Sequence, residues 1–103
     1  MSKIKFTAEE FINKYQHVDI VRVMQPQDAS ALIDDVCDKV VNFCRSESPS
    51  FDEDNLSDWK IGELKRAQME HALTVLTFGR DEPLNENTKS ILRRAGFLYK
   101  GLK

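Results

Sequence analysis

The sequence predicts an all-α fold, a small four-helix bundle with a short extended C-terminal tail, and three observations carry that reading. Apolar residues recur at helical spacing through two long segments, residues 29–44 and 61–78. Start signals stand ahead of the candidate helices at Thr7, Pro26 and Ser57, and Gly79 and Gly96 stand behind two of them. The one β-branched stretch, residues 18–24, would be a strand with no partner. The 103 residues suffice for one domain with a modest core, residues 1–103, and not for two.

The first helix is expected over residues 7–16. Thr7 caps it, Glu10 completes a capping box, and Phe6 before the cap reaches Phe11 as a hydrophobic staple. Phe11, Ile12 and Tyr15 make its apolar stripe. Residues 18–24 are then an extended or irregular connector. Pro26 suits a first helical position, and Leu32, Ile33, Val36, Cys37, Val40 and Cys44 build the core face of a second helix, residues 26–45. Asp34, Asp35, Asp38 and Lys39 take its wet face. Residues 46–56 form an acidic surface loop with Phe51 as its anchor. Ser57 caps a third helix, residues 57–78, with Leu56 and Ile61 as a staple. A loop of this length sets the second and third helices antiparallel. After a turn at Pro83, a short fourth helix over residues 87–95, opening at Asn87, stops at Gly96 and releases a basic, aromatic tail, residues 96–103.

Charge is polarised along the chain. Residues 28–58 hold nine acids against Lys39 and Arg45, whereas residues 85–103 hold five bases against Glu86, and the total is only −2. Unlike surfaces on one small domain suggest contacts between copies or with a partner. An apolar content of 41% argues against disorder, and no apolar run is long enough to span a membrane. The N-terminal segment turns acidic too early for a secretory signal, so residence in a cytoplasm is expected.

Catalytic and metal-binding patterns do not emerge. Cys37 and Cys44 lie on one helical face about 10 Å apart along its axis, too far to bridge, and read as reduced core thiols. His17 and His71 stand in no ligand or catalytic spacing, His71 reading as a partly buried structural histidine. Asp52, Glu53 and Asp54 lack the glycine and distal glutamate of a calcium loop. Neither enzyme activity nor a cofactor or metal is expected. The tail admits three uses. Arg93, Arg94 and Lys100 with Phe97, Leu98 and Tyr99 could dock on a protein, pack within the chain, or meet nucleic acid through phosphates and stacked bases. A tail used only for docking implies that a chain ending at Gly96 still folds.

The order of these segments resembles the head-to-tail connector (adaptor, or head-completion) proteins of tailed bacteriophages. The resemblance rests on Glu9-Glu10-Phe11 in the first helix, Ala29, Leu32, Ile33 and Asp34 in the second, Ala67 and Gln68 in the third, and the closing Gly96-Phe97-Leu98-Tyr99-Lys100-Gly101. Lys100 stands where that family usually has arginine, keeping charge without bidentate geometry. The resemblance implies a structural virion protein at the head–tail interface, made in the host cytoplasm. Its subunits would form a ring, often of twelve copies, between the portal protein and the tail-side connector proteins, with DNA passing through the channel and no sequence-specific nucleic-acid contact. Arg93, Arg94, Phe97, Leu98, Tyr99 and Lys100 would then bind the partner, and Asp52, Glu53 and Asp54 would form the acidic surface of the next copy. The competing reading is a small helical regulator that binds a host protein or DNA through its basic C-terminal end.

Overall fold

The computed structural model describes residues 4–49, 51–79 and 81–98. The fold is all-α: among those residues there are five α-helices, one 3-10 turn and no strand. The helices are α1 (Ala8–Lys14), α2 (Asp19–Arg22), α3 (Pro26–Glu47), α4 (Asp58–Phe78) and α5 (Glu86–Arg94), with the 3-10 turn at Glu53–Asn55. The layout is simple: α3 packs on α4, α4 on α5, and α1 lies on α3.

Local chemistry explains the boundaries. Thr7 Oγ1 accepts from the Glu10 N–H at 3.1 Å, and the Glu10 carboxylate accepts from the Thr7 N–H at 2.8 Å. The Phe6 and Phe11 rings sit 5.6 Å apart, completing the staple. Pro26 opens α3 from the Gln25 cap. The helix ends at Ser48, held extended at φ −135° and ψ 101°, as expected of a residue before proline. Ser57 caps α4 through the Lys60 N–H at 3.3 Å.

The segment expected as an extended connector instead forms α2, a single helical turn. Its β-branched content gives only a weak preference for strand, and a lone strand would leave its backbone groups unpaired. The turn satisfies them locally, with Val21 and Arg22 both donating to the Val18 carbonyl, and it buries Val21 completely beneath the first helix. The cap of α5 also differs from expectation. It is Asn85, whose Oδ1 accepts from the Thr88 N–H at 2.8 Å while its Nδ2 donates to Thr74 Oγ1 at 2.9 Å, so the residue that starts α5 also ties it to α4.

The C-terminal end of α5 is a Schellman motif. Gly96 takes φ +85°, its N–H donates to the Arg93 carbonyl, and the Phe97 N–H reaches back to Leu92 at 2.9 Å. Two apolar clusters fill the interior. One joins Val40, Val41 and Cys44 of α3 to Leu64, Ala67, Ile91 and Leu92; the other joins Phe11, Tyr15 and Val21 to Val36, Met69 and Ala72.

Candidate interaction surfaces

The antiparallel run of α3, α4 and α5 decides which residues share an end of the molecule. The C-terminal end of α5 returns beside the start of α4, since the Lys60 ammonium lies 5.9 Å from the Phe97 ring centre. Arg93 and Arg94 are exposed there, as is Trp59, which is 60% exposed. At the far end of α4, about 28 Å away at 1.5 Å per residue, Phe78 is 73% exposed. Val23, just beyond α2, is 72% exposed. Most large apolar side chains are covered, so these exposed ones mark surfaces suited to contact.

The tail residues divide. Phe97 is not available to a partner: it is 2% exposed, meets the Phe51 ring edge-on at 5.6 Å, and belongs to the same cluster as Ile91 and Leu92. The Schellman turn aims it inward, because its backbone N–H must face Leu92. Leu98 is half-buried against the same cluster. A chain ending at Gly96 would therefore lose a core ring, contrary to the expectation that it folds unchanged. Tyr99 and Lys100 lie outside the described residues.

The acidic loop is also partly committed within the chain. Asp52 caps the 3-10 turn by accepting from the Asp54 N–H at 3.0 Å and from the Asn55 side chain. Glu53 pairs with Arg45 of α3. Asp54 is exposed. A second acidic surface runs along α3, where Asp28, Asp34, Asp35 and Asp38 are exposed. Lys5 leans on it, 3.1 Å from Asp34 and 3.9 Å from Asp38, and those carboxylates raise the pKa of its ammonium, the Asp34 hydrogen bond most of all.

Beside this ridge the structure opens a cleft of about 240 Å³ between α3 and α4. Leu32, Val36 and Val75 form its apolar walls, Asp35, Asp38 and Lys39 its polar rim, and His71 its inner surface. The Lys39 ammonium is directed to the loop after α4, donating to the Glu82 carbonyl at 2.5 Å. His71 is fully buried, and neither ring nitrogen has a hydrogen-bond partner among the described residues. Gln68, one turn earlier, is likewise buried with its amide unpartnered. Such orphaned groups are costly and uncommon in native cores. Their signal was present in the sequence: Gln68 and His71 interrupt an otherwise apolar stripe through Leu64, Ala67, Ala72 and Val75. Without tertiary contacts, nothing said that these two polar side chains would be buried with no partner among the described residues.

Burial, followed by the nearby charge of Lys39, pulls the His71 pKa from 6.5 down to about 4. The folded form thus holds a neutral imidazole. A lowered folded pKa makes this contribution complete above pH 6.5, and it is lost as pH falls toward 4 and only the unfolded chain takes up the proton. The loss should approach about 3 kcal/mol across that interval. Urea midpoints measured from pH 7 to pH 4 should fall less steeply for His71→Leu than for the parent; equal slopes would remove His71 from the acid response. The two cysteines are inert by comparison: burial pushes the Cys37 and Cys44 thiols up to about 12, and both are free.

Among the described residues no helix is long and apolar enough to cross a membrane. Comparison with protein-family models finds no match, and neither do comparisons with curated proteins and with solved structures.

Proposed function

We propose that this chain is a structural, non-catalytic virion subunit: a helical-bundle connector that assembles head to tail into a ring between a phage portal and its tail. The observation that carries this reading is the unlike character of the two ends of α4. The start of α4 carries exposed Trp59 near the basic end of α5 and the acidic turn at Asp52. Its far end carries exposed Phe78, which continues the stripe of His71 and Val75 along the acidic cleft of α3. A ring of identical subunits needs two different, complementary patches on each copy, whereas a two-fold dimer needs one patch that fits itself. The segment order that resembles phage connectors supports the same assignment. In this role α3 to α5 form the body of the subunit.

The test is assembly of the purified full-length chain at high concentration in about 50 mM salt, followed by sedimentation and negative-stain electron microscopy. Closed rings of one copy number are expected, and Trp59→Ser and Phe78→Ser should each dissolve them, since either patch is half of every contact. A chain that stays monomeric throughout would overturn the reading. Binding to labelled duplex DNA with steep salt dependence, in place of self-association, would transfer the basic end to the competing regulatory role.

A further inference from the structure

We propose that the cleft between α3 and α4 is the receptor for the arginine pair Arg93 and Arg94 of a second copy. This inference rests on the head-to-tail reading above and assigns that contact to named residues. The cleft suits a guanidinium. Its walls, Leu32, Val36 and Val75, can cover the methylene stem, while the Asp35 and Asp38 carboxylates at the rim match the charge. The buried imidazole of His71 on the inner surface offers an acceptor nitrogen that none of the described residues uses. The Lys39 ammonium at the same rim is anchored to the Glu82 carbonyl, and the Asp35 and Asp38 carboxylates outnumber its charge. Arginine matches this site better than lysine because its flat fork can address a carboxylate and the imidazole together.

The donor residues are suitably presented. Arg93 and Arg94 are exposed in the last turn of α5, held there by the Schellman turn at Gly96. Arg94 lines a separate cavity with Arg66, Glu70 and Asn87 where α5 packs on α4, whereas the cleft lies between α4 and α3, so donor and receptor stand on different faces of α4. The apolar patches follow the same polarity. His71, Val75 and Phe78 lie on one stripe of α4, at i, i+4 and i+7, so the exposed Phe78 continues the line of the cleft. Trp59 accompanies Arg93 and Arg94 at the other end. One head-to-tail step thus brings arginines to the acidic cleft and Trp59 toward the Phe78 end.

A charge exchange tests the pairing on the full-length chain, with self-association read by sedimentation velocity in low salt. The Arg93→Glu/Arg94→Glu variant and the Asp35→Arg/Asp38→Arg variant should each associate at least about tenfold more weakly than the parent, and an equimolar mixture of the two should regain most of the lost affinity. The His71→Leu variant, with its fold checked by thermal melting, should also associate more weakly although no surface charge has changed. If all three variants associate as tightly as the parent, or if the mixture fails to recover, the cleft is not the receptor even though the chain self-assembles. If the parent itself never associates, the head-to-tail reading falls with it.

Discussion

Replacing Val40 with aspartate should lower stability at neutral pH by about 3–5 kcal/mol, the scale of an uncompensated charge in a protein interior. Val40 is fully buried where α3, α4 and α5 meet, among Cys44, Leu64, Ile91 and Leu92. Apart from the weak S–H donor of Cys44, none of these side chains can donate to a carboxylate. The total stability of a domain is only about 5–15 kcal/mol, so the loss would bring the chain close to unfolding. The penalty should depend on pH. Burial raises the carboxyl pKa in the folded state, so the cost is small below about pH 4, grows as the unfolded chain ionises, and levels off above the folded pKa. Urea unfolding at pH 7 and pH 4 measures both parts, with Val40→Thr as a shape-matched uncharged control. An aspartate variant as stable as the parent at pH 7 would show that this position is not enclosed.

Truncation of Phe11 to alanine should cost about 3–5 kcal/mol, as for other fully buried aromatic rings. Phe11 has no exposed surface and sits between the rings of Phe6, 5.6 Å away, and Tyr15, 5.4 Å away. The effect should also be local. A helix of seven residues has no stability of its own, so α1 persists only while Phe11 holds it to α3. Hydrogen exchange should therefore show the α1 amides losing protection before those of α4, alongside a lowered urea midpoint. A loss under about 1 kcal/mol, with α1 still protected, would assign the docking of this helix to Tyr15 and its bond to Glu70.

Elements whose cause is local were legible in the sequence. The capping box of Thr7 and Glu10, the proline start at Pro26, the Ser57 cap and the glycine stops each depend on atoms within a turn of one another, and all occur as their residues suggest. The apolar periodicity of α3 and α4 identified their buried faces for the same reason. The failures were of a different kind. Residues 18–24 have strand-forming side chains, but with no neighbouring strand a single helical turn over Val21 satisfies more of the backbone. Asn85 was passed over as the cap of α5 although its bond to the Thr88 N–H is local, because Asn87 offers the same side chain two residues later.

The candidate surfaces were legible only in part. The charge polarity between residues 28–58 and 85–103 was plain from composition, and Arg93 and Arg94 are exposed as the pattern implies. Phe97 belonged to the same motif in the sequence, yet its ring is buried on Phe51, a residue far away along the chain. His71 read as a partly buried structural histidine, and the fold buries both it and Gln68 completely, with no partner for their polar atoms among the described residues.

By itself, then, the sequence determined an all-α chain, where most of its helices begin and end, which faces they bury and how charge is divided along it, because these follow from hydrogen bonds and periodicity within a few residues. The tertiary structure alone decided that Phe97 faces inward, that the acids of α3 flank a cleft ending at a buried imidazole, and that the arginines of α5 stand on a different face of α4 from that cleft. Those outcomes depend on which distant side chains exclude water from one another, and no local spacing encodes that.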